Sequence, residues 1–344
     1  MTESRKVRKA LIMVGGKGTR LLPLTGTKPK PILEVADKPC MWYLLRSLAK
    51  AGIEEVVLGC GYRSEAMKQA IGDGSDLGMT ITYSYEDEPL GTSGAMKLAE
   101  DLLDDTFVAC NGDVFADIDI AAEIREHFRS GASVTMALTP VENPCEFGIA
   151  CVADDGRITE FKEKPKPEEV FSNLINAGVY IVDRSVLQYV PENQFHDFSK
   201  DLVPFLMEKG YRIQGYRLDG LWMDVGRPHD LLASNQAVAE REYGQTEWGC
   251  VDTTVEGPFY MGPGSTVRGC SCVSSVIQAG SHIEDCQLEN VLIMPNCTVV
   301  GSRISNAIIG EGTTIGKGSR IENVVLGEDT VIGKDTELNG GRVV

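Results

Sequence analysis

The chain has 344 residues, 42% of them hydrophobic and 24% charged, which is the balance of a folded protein with length enough for two cores. Its formal net charge of −17 excludes nucleic acid and anionic membranes as expected partners, because both are held by clustered Lys and Arg. A small anionic substrate needs only a few local cations and is not excluded.

Residues 7–14 predict a strand that runs into a glycine-rich turn. Pro39 predicts the first turn of a helix with Met41, Leu44, Leu45 and Leu48 on one face and Gly52 at its end. Strands follow at 56–60, 79–85 and 106–110, with helices at 64–71 and 95–103 between them. This alternation predicts a parallel sheet covered by helices. Ligands of such sheets bind at the carboxyl ends of the strands, which places 15–20, 88–91 and 112–113 on one rim. The next stretch is richer in strands, at 149–152, 157–161, 177–182 and 212–217, and a helix over 228–241 closes the domain. From about residue 255 apolar residues recur every six positions: Met261, Val267, Val273; Ile277, Ile283; Ile293, Val299; Ile309, Ile315, Ile321; Leu326, Ile332, Leu338. The run 303–318 recurs at 320–335, an offset of 17 residues. A six-residue period with Gly after the aliphatic residue predicts a parallel β-helix over roughly 258–344, about five coils.

The ten cysteines form no CxxC pair and sit mostly in apolar runs, as at Cys60, Cys110 and Cys151. They read as buried free thiols in a reducing cytoplasm. No stretch approaches the roughly 20 apolar residues of a membrane span. The apolar run 10–14 behind Arg5, Lys6, Arg8 and Lys9 is too short for a signal peptide.

The turn after the first strand holds Gly15, Gly16 and Gly18, which let backbone N–H groups converge on phosphate oxygens. It is neither a Walker loop nor a dinucleotide fingerprint, since Leu21 stands where a third Gly belongs. Lys17, Arg20, Lys28 and Lys30 crowd the same stretch, stiffened by Pro23, Pro29 and Pro31. In a strongly acidic protein this predicts a polyphosphate-binding loop.

The run Gly15-Gly-Lys-Gly-Thr-Arg-Leu-Leu-Pro-Leu-Thr25 with Lys28-Pro-Lys-Pro31 resembles the signature of the nucleoside-diphosphate-sugar pyrophosphorylases, the sugar-1-phosphate nucleotidyltransferases. Further landmarks occur in order: Glu88-Pro-Leu-Gly-Thr-Ser-Gly94, Asn111-Gly-Asp113, Glu163-Lys-Pro165, Asn176-Ala-Gly178 and Trp222-Met-Asp-Val-Gly226. The resemblance therefore covers the whole chain. It implies an α/β fold, a Rossmann-like mixed sheet over residues 1–245 followed by a left-handed parallel β-helix of hexapeptide repeats over 246–344.

The implied reaction is attack of a sugar 1-phosphate oxygen on the α-phosphorus of a nucleoside triphosphate, with pyrophosphate leaving. Two anions must meet, so catalysis is charge neutralisation and positioning, and no protein nucleophile is required. By resemblance Arg20, Lys30 and Asp113 are catalytic. Gly15, Gly16, Gly18, Thr19, Arg20, Lys30, Gly91, Thr92 and Asp113 bind the nucleotide, and Gly148, Glu163, Lys164 and Asn176 the sugar phosphate. Asp113 and Asp224 are the expected ligands of Mg²⁺, which takes one or two carboxylates along with substrate phosphates. Phe147 departs from the family, which often has Tyr there. His229 reads as a surface residue at a helix start.

Leu90-Gly-Thr-Ser-Gly and Leu221-Trp-Met-Asp-Val-Gly-Arg-Pro-His-Asp look most like the mannose-1-phosphate guanylyltransferase subgroup, which implies GTP and mannose 1-phosphate as substrates. Glucose-1-phosphate thymidylyl- and uridylyltransferases share nearly every motif and stay open. So does a non-catalytic subunit that senses nucleotide sugars, although such a subunit is expected to have lost loop cations or metal carboxylates that are present here. An acyltransferase role for the β-helix needs a base, and His282 is the one histidine in that span. The expected role of the β-helix is structural, supporting a homo-oligomer.

Overall fold

The computed structural model describes residues 6–15, 18–60, 64–86 and 88–343. They form two compact units. One is built from Met41–Trp222 with the N-terminal strand, the other from Met223–Val344 with the segment that leads from that strand to Cys40.

The first unit is organised by a mixed sheet. Its main path runs Ile158–Glu163, Gly148–Val152, Leu174–Asp183, Thr106–Asn111, Lys9–Val14, Glu55–Cys60, Thr80–Tyr85. The last four of these strands are mutually parallel, as the βα alternation predicts. Lys9–Val14 reads KALIMV because it is covered on both faces: Ala10, Leu11 and Ile12 are fully buried. Leu174–Asp183 runs antiparallel to Thr106–Asn111 and turns the sheet from parallel to antiparallel. Val134–Pro140 pairs with it, and Ile213–Arg217 lies parallel to Val134–Pro140.

Two expectations shift. Pro39 does not open a helix: Lys38–Pro39 pairs antiparallel with Glu34–Val35, and Cys40 N–H donates to Leu33 O at 2.9 Å, so the helix is Cys40–Lys50. The helix expected at 95–103 is instead Gly91–Leu98 followed by a 3-10 turn at Glu100–Leu102. The apolar pattern placed it too late because its first turn is the small polar run Gly91-Thr-Ser-Gly. The sequence reading also passed over Val114–Ile118, Val134–Pro140 and the helix Ile120–Ser130, which Asp119 caps through Ala122 N at 2.9 Å.

The second unit is dominated by two stacks of parallel strands. The longer stack runs Thr254–Met261, Ser271–Ile277, Gln287–Ile293, Arg303–Ile309, Arg320–Leu326, Glu337–Val343. The shorter runs Thr266–Arg268, His282–Glu284, Thr298–Val300, Thr314–Ile315, Val331–Ile332. These are the coils of a β-helix. Pairing joins Gln287 to Arg303 and Arg303 to Arg320, so successive coils advance by 16 and then 17 residues. Val267, Ile277, Ile283, Ile293, Val299, Ile309, Ile315, Ile321 and Leu326 line the buried core, as the hexad pattern predicts. One register differs: Cys272, not Val273, points inward, in line with Leu288, Ile304 and Ile321.

Asparagine ladders hold one corner. Asn290, Asn306 and Asn323 adopt left-handed backbone, which Asn tolerates better than most residues. Asn290 Nδ2 donates to Asn306 Oδ1 at 2.8 Å. The helix Pro228–Tyr243 packs on the first long strand and belongs with the coils. All ten cysteines are free thiols.

Candidate functional site

The expected site residues fall into groups that each unit builds by itself. In the first unit, the parallel pairing of Lys9–Val14 with Thr106–Asn111 brings Met13 level with Asn111, and Gly112 N–H donates to Met13 O at 2.9 Å. Gly15 and Asp113 therefore leave neighbouring strand ends. The space where a Cβ on Gly15 would stand is open. A Cβ on Gly112 would meet Ile12, Val14 and Met41 at 3.0 Å each, so this glycine lets the strand end close down on the core. Among the described residues Asn111 Oδ1 is buried without a hydrogen-bond partner. Gly16 lies outside the described residues.

The stretch from Leu90 to Gly94 is anchored by a segment that the sequence reading missed. His196 N–H donates to Leu90 O at 2.8 Å, Gly94 N–H donates to His196 O at 3.1 Å, and Ser93 Oγ lies 2.7 Å from His196 Nδ1. Thr92 Oγ1 accepts from Phe198 N–H at 2.8 Å. Gly91 has φ +73, and a Cβ there would stand 2.6 Å from His196 O. Thr92 thus braces the loop, and its hydroxyl is engaged by backbone.

The four residues expected at the sugar phosphate converge. Gly148 opposes Glu163 across an antiparallel pair, so closely that a Cβ on Gly148 would stand 2.6 Å from Glu163 Oε2 and from the Phe161 ring. Lys164 follows with left-handed backbone (φ 47), its N–H donating to Phe147 O at 2.9 Å and its side chain exposed. Asn176 lies in an irregular stretch of Leu174–Asp183. It accepts from Gly178 N–H at 2.9 Å and donates to the Tyr180 hydroxyl at 2.8 Å and to Ser199 Oγ at 3.2 Å. Trp222 Nε1 donates to Ala177 O at 2.8 Å, and its ring meets Phe147 edge-on at 6.1 Å. Burial pushes the Glu163 carboxyl above its usual range, while the Lys164 charge partly opposes this. Asp197 and Lys200 also act on Glu163, so the segment 195–200 borders both the Leu90–Gly94 stretch and the surroundings of Glu163. It carries no motif that periodicity or composition could flag.

In the second unit, Thr19–Leu21 forms a 3-10 turn entered through Gly18 at φ +60. Thr25 Oγ1 donates to Gly18 O at 2.8 Å and ties the loop back on itself. Lys30 is only 8% exposed, an unusual place for an ammonium, and its Nζ lies 3.3 Å from Asp224 Oδ1. Burial of a cation is tolerated when a carboxylate faces it. A Cβ on Gly226 would stand 2.8 Å from Asp224 Oδ2 and 3.2 Å from Arg20 Nη2, so the Arg20 guanidinium and the Asp224 carboxylate flank the same glycine. Arg20 and Lys30 form one polar group with Asp224, which is far from both in sequence.

The two remaining histidine expectations resolve simply. His229 is exposed at the start of Pro228–Tyr243, 3.1 Å from Asp230. His282 stands on the outside of a coil, its Nδ1 2.7 Å from Thr266 Oγ1 and its Nε2 3.6 Å from Glu284. Among the described residues no group of three or more His, Cys, Asp or Glu could hold a metal without help from a substrate.

A sequence profile described as "Nucleotidyl transferase" matches residues 9–241, and one described as "GMPPB C-terminal domain" matches residues 255–344. A mannose-1-phosphate guanylyltransferase catalytic subunit beta from Dictyostelium discoideum is 37% identical over 90% of this chain and 88% of its own. A UTP–glucose-1-phosphate uridylyltransferase from Synechocystis is 30% identical over 90% of this chain and 84% of its own. Among solved structures, a Bacillus anthracis protein described provisionally as a glucose-1-phosphate thymidylyltransferase superposes with a TM-score of 0.62 at 25% identity. It covers 71% of this chain and 98% of its own.

Proposed function

The chain belongs to the nucleotidyl transferase family, and on that premise we propose that it joins GTP to mannose 1-phosphate, giving GDP-mannose and pyrophosphate. The observation that carries the reading is the group formed by Arg20, Lys30 and Asp224 on the signature loop and the strand end that follows Trp222. Two cations in a protein of net charge −17 are placed to receive a polyphosphate. Arg20 offers a planar fork of donors to phosphate oxygens, and Lys30 a point charge already stripped of most of its water. Charge that develops on the departing pyrophosphate is met by groups that need no reorganisation.

Mg²⁺ is the cofactor of this proposal. Asp113 and Asp224 are assigned to it, since each carries hard carboxylate oxygens of the kind that Mg²⁺ takes. When bound, the ion neutralises phosphate charge and aligns the triphosphate. Glu163 and Asn176 are assigned to sugar hydroxyls and Lys164 to the sugar phosphate. Gly148 leaves room for close backbone approach, and Gly15, Gly18, Thr19, Gly91 and Thr92 serve the nucleotide. Lys200, exposed beside Asp197 and Ser199, joins the sugar group as a second cation.

The guanylyltransferase relative supports guanine and mannose, and the C-terminal profile supports the same choice. The Synechocystis relative, matched over as much of the chain, supports UTP with glucose 1-phosphate as the second reading. A silent sensor is disfavoured, since Arg20, Lys30, Asp113 and Asp224 are all retained. The free thiols support a reducing cytoplasm as the compartment, and no described helix is long and apolar enough to cross a membrane. Self-association through the β-helix completes the proposal.

The test is pyrophosphate release from purified protein with Mg²⁺, using mannose and glucose 1-phosphates against the four common nucleoside triphosphates. The highest kcat/KM is expected for GTP with mannose 1-phosphate. A preference for UTP with glucose 1-phosphate transfers the assignment to the second reading, and silence with every pair removes the enzyme reading.

A further inference from the structure

The signature loop is held by the coils that follow it hundreds of residues later. Arg342, in the last strand Glu337–Val343, reaches the loop with one guanidinium nitrogen. Its Nη1 donates to Arg20 O at 2.9 Å and to Leu22 O at 2.6 Å. Those carbonyls stand at the carboxyl end of the Thr19–Leu21 turn, where backbone acceptors lack partners within the turn and a cation is favourable. Thr27 Oγ1 donates to Glu328 at 2.6 and 2.5 Å, Lys28 pairs with Glu311, and Pro23 lies against Gly327, close enough to touch a Cβ placed there. Deeper along the coils, Gln278 Nε2 donates to Glu34 O at 3.0 Å.

We propose that the β-helix sets the conformation of the triphosphate loop and that Arg342 is a positioning residue for Arg20. The proposal rests on the loop's assignment to the nucleotide. Leu21 is fully buried and fixes the depth of the turn, whereas Leu22 is 43% exposed. The turn's own bonds engage the Leu21 and Leu22 N–H groups, whereas the Arg20 and Leu22 carbonyls are met by the last coil. A guanidinium that binds those two carbonyls fixes the 20–21 and 22–23 peptide planes, and with the first of them the direction in which the Arg20 side chain departs. The loop's cations then depend on the final coil, so the β-helix contributes to the chemistry without touching substrate.

The experiment compares the full-length protein with Arg342→Ala and Arg342→Lys. The first readout is amide hydrogen exchange in residues 18–26, where Leu21, Leu22 and Leu24 donate to Gly18, Thr19 and Leu21 carbonyls. Exchange there is expected to quicken about tenfold or more in Arg342→Ala, with strand Lys9–Val14 unchanged. The second readout is kinetic. KM for the nucleoside triphosphate is expected to rise about tenfold, KM for the sugar phosphate to stay within about twofold, and Arg342→Lys to recover most of the loss. A residue that only stabilised the fold would lower the melting temperature and leave the ratio of the two KM values alone. Unchanged exchange in a folded Arg342→Ala overturns the proposal. Should Arg342→Ala not fold, Arg342→Lys and Arg342→Gln carry the same comparison. If the unmodified protein turns over no substrate pair, the functional assignment fails, and the exchange readout still decides whether Arg342 holds the loop.

Discussion

Glu123 is a carboxyl group with no room for its charge. It sits 1% exposed on the inner face of Ile120–Ser130 and accepts from Ala137 N–H, and its Oε1 has no partner among the described residues. Burial raises its pKa well above the usual 4.5. The fold therefore favours the protonated acid over a range of pH in which the unfolded chain has already released its proton. Stability from this group is complete below the unfolded value and is lost as pH rises from there toward the folded value. Glu123→Gln keeps the shape of the protonated acid and removes the titration. Between pH 5.5 and 7.5 the wild-type protein should lose stability faster than the variant, by at most about 1.4 kcal/mol per pH unit, the value of one proton. Glu163 is raised by burial as well, but it is common to both proteins and cancels in the comparison. Urea midpoints across the pH series measure the difference. Parallel slopes would mean that Glu123 is ionised in the fold.

At the scale of elements, the proposed function gives the strand pair Gly148–Val152 and Ile158–Glu163 the task of setting how close a sugar can come. With Glu163 Oε2 and the Phe161 ring both 2.6 Å from the place of a Cβ on Gly148, Gly148→Ala must displace both. Glu163, the side chain with more rotatable bonds, gives way more easily. The variant should raise KM for the sugar phosphate by roughly tenfold, about 1.4 kcal/mol, and leave KM for the nucleoside triphosphate in place. Equal losses on both substrates in steady-state kinetics would instead place Gly148 in the core alone. This pair also shows what the sequence made legible. Gly148, Glu163, Lys164 and Asn176 were singled out because motifs tie residue type to position, and the fold brings Gly148 against Glu163. The coils were legible because stacking repeats one burial pattern; the single slip, Val273 for Cys272, came from a coil in which cysteine fills the apolar position. The helix Ile120–Ser130 was not legible, because its inner face includes buried Glu123 and His127, which pattern reading counts as polar. Segment 195–200 was not legible either. Its role comes from backbone bonds to Leu90, Gly94 and Thr92, and backbone groups leave no trace in residue type.

For the whole molecule, net charge and proposed self-association pull against each other. Each copy carries −17, and two like-charged copies repel over a distance that salt sets, about 30 Å at 0.01 M and 8 Å at 0.15 M. The β-helix offers mixed means of association. Val331 is 78% exposed and Val255 39%, while Glu256, Glu328 and Glu337 add like charge to the same domain. If apolar and backbone contacts hold the copies together, added salt removes repulsion and leaves attraction, so association tightens as salt rises. If ion pairs hold them, the same salt loosens the assembly. The composition favours the first outcome, since 50 acidic residues face 33 Lys and Arg and complementary patches are hard to assemble from that imbalance. Sedimentation velocity at about 20 and 200 mM salt should therefore show a larger assembled fraction at the higher value. A smaller fraction there would locate the interface among the basic residues, and a monomer at both would remove self-association from the proposed function while leaving the coils their role of holding the loop from Arg20 to Lys30.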